Sequence, residues 1–157
     1  MSDTENIGLV TDLDGLLSTP AGTHLGHTGW QSITQEQVNG FAEVTGDHQW
    51  VHVDVERAKA SPFGGTIAHG FLTLSLVAQV SQALLQVSDV NTGINYGLDR
   101  VRFPAPLPVG AQWRGGAELA EAVEIPGGVQ VKLLVTIEVQ NGPKPACVAE
   151  SLVRLLR

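Results

Sequence analysis

From Gly70 to Val87 apolar residues recur with the period of a helix. Leu72, Leu76, Val77, Val80, Ala83, Leu84 and Val87 cover most of the cylinder, and Ser75, Gln79, Gln82 and Gln86 leave a narrow polar stripe. The pattern predicts a helix buried on most sides. Further on the period changes to two: Val129, Val131, Leu133, Val135, Ile137 and Val139 alternate with Gln130, Lys132, Thr136 and Glu138, broken only by Leu134. That is a long strand with one wet face. Ile94, Tyr96 and Leu98 also alternate, and Val101 and Phe103 resume after an irregularity expected at Asp99-Arg100, before Pro104-Ala-Pro-Leu-Pro108 ends the strand. Trp113 to Ala122 and Ala146 to Leu156 read as two more strands, with turns at Pro126-Gly-Gly and Asn141-Gly-Pro between them.

Upstream, Gly29 to Ile33 reads as a short strand. Thr34-Gln-Glu-Gln37 has the capping-box pattern that opens a helix, here over 35–45, with Val38, Phe41, Ala42 and Thr45 on one side. Gly46 is a natural stop, because glycine tolerates the left-handed conformation that ends a helix. Residues 1–28 carry Pro20, four glycines and the acids Asp12 and Asp14. They read as a loosely packed lead-in with one short helix around Thr11 to Leu17. A curved antiparallel sheet wrapped around a long central helix accounts for this order, since the helix needs apolar cover and each strand offers one face. The fold class is therefore α+β, with a single domain over 29–157 after the lead-in.

At 157 residues, 43% hydrophobic and 16% charged, the chain is the size of one soluble domain with one core. Sixteen acidic against nine basic residues give a net charge of −7, which excludes a polyanion held by charge neutralisation, so no nucleic-acid partner is expected. Residues 1–56 hold nine acids and no Lys or Arg, so an anionic ligand would lean on the later part of the chain. No apolar run reaches the roughly 18 residues of a membrane span, and Met1 to Glu5 is acidic where a secretory signal would be basic. A cytoplasmic, membrane-free setting is the expectation. The one cysteine, Cys147, reads as a small buried hydrophobe.

The chemistry concentrates in Thr45-Gly-Asp47, His52 and Asp54, followed by Phe63-Gly-Gly-Thr-Ile-Ala68-His69-Gly70. Asp47 and His52 would diverge on a helix and stand roughly 17 Å apart on a strand, so only an irregular turn after Gly46 brings them together. Taken alone, Asp47 is turn chemistry and His52 a packing histidine. Together they offer an acid and a base, and Gly70 offers an unpaired helix-start amide. A cationic imidazole at that helix start is opposed by the dipole, so His69 reads as a neutral residue that fixes the loop. Asp54 reads as the cap of a following turn, and Trp50 either lines a channel or fills core. Arg100 and Arg102 share a strand face, as a solvated pair or as contacts for phosphates. His48 and His52 could share a metal on a helix, but Gly46 argues against one, and His24 and His27 fall in an unrelated loop, so no metal is expected.

These residues resemble the MaoC-like, R-specific enoyl-CoA hydratases of the single-hotdog fold. The segments Ile94-Asn-Tyr-Gly-Leu-Asp-Arg-Val-Arg-Phe-Pro-Ala-Pro106 and Lys144-Pro-Ala-Cys-Val-Ala-Glu-Ser151 are similar to the nodulation-protein-N-like branch and the actinobacterial 3-hydroxyacyl-thioester dehydratases. The likeness runs over roughly residues 29 to 156. It implies a hotdog that pairs into a homodimer, with Asp47 and His52 catalytic, the Gly70 amide as oxyanion hole, and Trp50, Ala68 and His69 beside the substrate. The chain has Gln49-Trp50 where many members have Asn-Pro, and Ala78 where some carry a helix serine.

The implied reaction is reversible addition of water to a trans-2-enoyl thioester. It needs a base for the water, a proton for C2 and a donor for enolate charge on the thioester oxygen, and no metal or redox cofactor. Coenzyme A or an acyl-carrier protein would be the substrate's carrier. A hotdog acyl-CoA thioesterase and a non-catalytic acyl-thioester binding protein are the competing readings.

Overall fold

The computed structural model describes residues 8–157; the acidic start read at Met1 to Glu5 lies outside them. In chain order the elements are β1 (Leu9–Thr11), α1 (Leu13–Ser18), β2 (Thr23–His27), β3 (Gln31–Ser32), α2 (Gln35–Thr45), α3 (Trp50–Val53) and α4 (Val55–Lys59). Then come α5 (Gly70–Leu84), β4 (Leu85–Val87), β5 (Thr92–Arg102), β6 (Gln112–Ile125), β7 (Gly128–Val139) and β8 (Cys147–Leu156).

The main sheet runs β2-β6-β7-β8-β5, with β3 pairing the start of β6, and every pairing in it is antiparallel. The alternation along β7 does what period two demands: Val129, Val131, Leu133, Val135 and Ile137 are buried against the helix, and the intervening residues are partly exposed. Burying each such aliphatic side chain is worth ~1.5–3 kcal/mol. The expected irregularity near Asp99 is a register shift between Leu98 and Arg100, and a second lies between Asn95 and Gly97. Lys132 holds Asp99 at 2.7 Å across the sheet.

The central helix is α5, lying on β6, β7 and β8. It differs from expectation in two ways. It ends at Leu84, and Leu85 to Val87 extend as β4 to pair with β1 in parallel. Only one stripe, Thr73, Val77, Val80 and Leu84, is buried, because one sheet covers one side of a helix. Where α5 crosses the sheet the approach is close enough that a Cβ on Gly115 would collide with Val80.

Residues of the expected lead-in are not loosely packed. The short helix is present as α1, and Leu13 and Leu16 are fully buried with Leu25 of β2 in the same core as β7. Asp12 caps α1 through Gly15 N–H at 2.7 Å, and Asp89, far along the chain, accepts from Leu13 N–H at 2.8 Å. His24 and His27 lie on β2 rather than in a loop. No helix among the described residues is long and apolar enough to cross a membrane.

Candidate active site

The site is assembled by three local devices. At the start of α2 the capping box forms in full, Thr34 accepting from Gln37 N–H at 3.1 Å while Gln37 accepts from Thr34 N–H at 2.9 Å. At its end Gly46 adopts φ 77°, the left-handed stop, and its N–H closes on Ala42 O at 2.8 Å. The chain therefore leaves α2 in an irregular turn carrying Asp47, as the spacing required. His52 then sits on α3, a single helical turn that the sequence pattern did not signal, and Asp54 caps α4 by accepting from Arg57 N–H at 3.1 Å.

Downstream, residues 66–68 are strapped to 107–109. Ala68 N–H donates to Leu107 O at 2.8 Å and Val109 N–H to Thr66 O at 2.9 Å. The strap delivers Gly70 as the first residue of α5, ahead of the first intrahelical bond from Thr73 N–H to His69 O. The Gly70 N–H thus stands at the positive end of a helix axis, where developing anionic charge is favoured.

These pieces converge. A carboxylate oxygen of Asp47 and one ring nitrogen each of His52 and His69 all lie within 4.8 Å of one another. Two hydrogen bonds of ~2.8 Å span such a gap, so one water can bridge Asp47 and His52. His52 is 7% exposed, and its Nδ1 lies 2.7 Å from Ile67 O. A carbonyl can only accept, so Nδ1 carries the hydrogen and Nε2 keeps its lone pair for a proton acceptor's work. Asp47 itself is exposed to solvent.

His52 and Gly70 line a cleft of about 230 Å³ whose other walls include Ala68, Thr73, Phe103 and Leu107. A larger cleft of about 350 Å³ runs between α5 and β5, past Leu74, Ala78 and Leu98, and contains none of Asp47, His52 and Gly70. Of the candidate catalytic residues, His52 and Gly70 line the smaller cleft, and Asp47 is not among its lining residues. Ala68 is in its wall. Trp50 is not among the residues lining either cleft and stacks instead under the Arg57 guanidinium at 4.3 Å. His69 is 2% exposed and lies behind His52, rings 3.9 Å apart.

His48 does not join His52 on a helix; it stands in the loop, exposed, 3.7 Å from Glu43. The Asp47, His52 and His69 trio is also a poor metal cage. Two rings stacked with centroids 3.9 Å apart and tilted by only 28° do not aim their in-plane lone pairs at one ion at a metal–imidazole bond of ~2.1 Å. Burial pushes the Cys147 thiol up to about 11, which removes it as a nucleophile near neutral pH.

One residue of the site carried no signal in the sequence. The Gln35 side chain, half-buried at the start of α2, donates to His52 O at 2.8 Å and accepts from the Thr66 hydroxyl at 2.6 Å. It ties the turn bearing His52 to the strap bearing Gly70. A glutamine beside a helix cap has a complete local explanation, so nothing pointed to a partner so far along the chain.

Residues 17–140 match the MaoC like domain. The chain belongs to the MaoC-like family. Among MaoC-like relatives it is 52% identical over 139 residues to 3-hydroxyacyl-thioester dehydratase Z of Mycobacterium tuberculosis (strain H37Rv), covering 88% of this chain and 92% of that one. It is 43% identical over 131 residues to nodulation protein N of Rhizobium leguminosarum bv. viciae, covering 82% and 81%. The solved (R)-hydratase from A. caviae involved in PHA biosynthesis superposes with a TM-score of 0.72 at 24% identity, covering 88% of this chain and 98% of that one. That last likeness is one of fold, and the MaoC-like chain is a single hotdog in which the antiparallel sheet packs along one side of α5.

Proposed function

We propose that this protein is a 3-hydroxyacyl-thioester dehydratase, acting in reverse as an (R)-specific enoyl-thioester hydratase. The observation that carries the reading is the approach of the Asp47 carboxylate to the His52 imidazole, within one water's span, beside a cleft that His52 and Gly70 both line. It is supported by the names borne by the MaoC-like relatives.

In hydration, the bridging water is held by Asp47 and His52. His52 Nε2 takes its proton as the oxygen bonds to C3 of the enoyl group, with Asp47 assisting. The C2–C3 electron pair shifts towards the thioester, and the oxygen's gathering negative charge faces the Gly70 N–H, a contact of a kind worth ~3 kcal/mol of barrier. Collapse of the enolate takes up a proton at C2 from the same pair of groups and leaves the 3-hydroxyacyl product. Dehydration retraces these steps. The balance needs no electron acceptor and no metal, and the thioester's carrier, coenzyme A or an acyl-carrier protein, is substrate rather than cofactor.

Two further parts of the reading concern setting. We place the reaction in the cytoplasm, where coenzyme A thioesters are made and used. We also assign the active form as a homodimer. Its support is that among the described residues β5 is an edge strand bonded only to β8, yet Ile94, Tyr96 and Leu98 on it, and Phe71 on α5, are exposed apolar side chains. A single-species monomer in sedimentation at working concentration would refute the dimer.

The test of the activity is hydration of crotonyl-CoA, followed by loss of the conjugated-thioester absorbance. Asp47→Asn and His52→Gln should each lower the rate by ~10²–10⁴-fold with the fold intact. Full rate in either variant would sink the assignment. Thiol release from saturated acyl-CoA would point instead to a thioesterase, and tight binding with no turnover to a binding protein.

A further inference from the structure

We infer that His69 is the positioning residue of the catalytic pair: one buried imidazole that fixes Asp47 through its backbone and His52 through its ring. The inference rests on the roles proposed for Asp47 and His52.

His69 Nε2 lies 3.0 Å from the carbonyl oxygen of Asp47. The carbonyl can only accept, so Nε2 bears the hydrogen. Nδ1 is then the bare nitrogen, and it is buried with no partner among the described residues. An imidazole placed at the cost of an unsatisfied nitrogen has its single N–H committed to one use, and that use is the Asp47 peptide.

The turn needs such an anchor. The turn's own bonds to Asp47 are long and local: Asp47 N–H reaches Thr45 Oγ1 at 3.4 Å, and Gln49 N–H reaches Asp47 Oδ1 at 3.3 Å. The bond from His69 crosses 22 positions of sequence and is the shorter one. The ring is wedged between Phe41, centroids 4.8 Å apart, and His52, 3.9 Å apart and near-parallel at 28°. Its backbone is fixed in turn, its carbonyl accepting from both Thr73 N–H at 3.0 Å and Thr73 Oγ1 at 3.1 Å. The next residue is Gly70. Acid, base and oxyanion amide are therefore referred to one side chain on the rigid end of α5, which is what a water-sized gap between them demands. His69 is not among the residues lining the cleft.

Two variants separate its functions. His69→Phe keeps the ring and loses the donor; His69→Gln keeps a donor of similar reach and loses the stack. For crotonyl-CoA hydration His69→Phe should lower kcat by ~10–100-fold, the range expected of a misplaced catalytic group, with KM little changed. His69→Gln should regain most of that loss. Wild-type kcat in His69→Phe overturns the inference, as does a raised KM at unchanged kcat, which marks a substrate contact. A Gln variant no faster than the Phe variant overturns the hydrogen-bond basis. Asp47→Asn and His52→Gln run alongside: if they too keep full rate, the functional reading has failed, and if they lose it while His69→Phe does not, only the present inference has. Should either His69 variant misfold, nitrogen NMR of the wild-type protein decides. The Nε2–H tautomer of His69 is expected, and the Nδ1–H tautomer overturns the inference.

Discussion

The protein carries two histidine pairs, and they differ in every respect that matters to chemistry. His24 and His27 on β2 have rings 5.0 Å apart, tilted at 43°, on the outer face of the sheet among Glu138, Arg114 and Trp30. His52 and His69 have rings 3.9 Å apart and stacked, at 7% and 2% exposure. In the outer pair, His24 Nδ1 accepts from Gly26 N–H at 3.0 Å, and His27 faces Glu138 at 3.7 Å, but Glu138 is already held by Arg114 at 2.8 Å. In the inner pair each ring donates one N–H to a backbone carbonyl. Pairing alone makes no site. A histidine becomes equipment when one nitrogen is committed to the scaffold, the other is left free, and a carboxylate and an amide are aimed at the same spot.

Exchanging the same side chain in the two pairs is the strongest way to break this contrast. His52→Gln should lower turnover by ~10²–10⁴-fold, whereas His27→Gln should leave it unchanged; equal losses would mean that the outer pair takes part in the reaction. The scaffold's share can be measured next. Gln35→Leu removes the tie on the His52 peptide and leaves the buried Thr66 hydroxyl without an acceptor. Stability should fall by ~1–3 kcal/mol in denaturant titration. Turnover should fall by up to ~100-fold from displacement of the base, and an unchanged rate would show that the turn holds His52 without Gln35.

The smallest effect belongs to His27 itself. Burial, and then the Arg114 guanidinium, hold its pKa below the ordinary 6.5, with Glu138 opposing. Below pH 6.5 the unfolded chain takes up a proton that the folded chain resists, so acidification through that value subtracts stability. His27→Gln should therefore change stability by no more than ~0.5 kcal/mol at pH 7.5, the usual range for a surface substitution, and gain on the wild type at pH 5.5 in thermal melts. A wild type that instead gains on acidification would make the Glu138 ion pair the dominant partner.

The parts legible in the sequence were those whose cause is local. Thr34 and Gln37 announce the start of α2, Gly46 announces its end, and the alternation of Val129 to Val139 announces β7 with its buried face. From these followed the irregular turn at Asp47, and with the Gly-Gly-Thr-Ile-Ala-His-Gly run the candidate trio of Asp47, His52 and Gly70. The parts that were not legible have distant causes. The parallel pairing of β1 with β4 ties Leu9 to Leu85, and neither stretch is long enough to declare itself. Leu13, Leu16 and Leu25 are scattered among glycines and acids, so their shared burial emerges only when β7 and α5 are in place. The four residues of α3 are too few to carry a period. Gln35 and His69 act through backbone carbonyls, which every residue possesses, so no side-chain pattern betrays the partner.

Gly115 has a reach beyond its own strand. Because a methyl group there would collide with Val80, the depth at which α5 rests on the sheet is set by a missing side chain some ten residues, or ~15 Å of helix, from Gly70. The helix behaves as a beam bedded along the sheet, its strapped end carrying Gly70 into the wall of the cleft. Aim at the mouth of the cleft is thus governed from the floor of the molecule, and a change there can spoil the alignment of a donor it never meets.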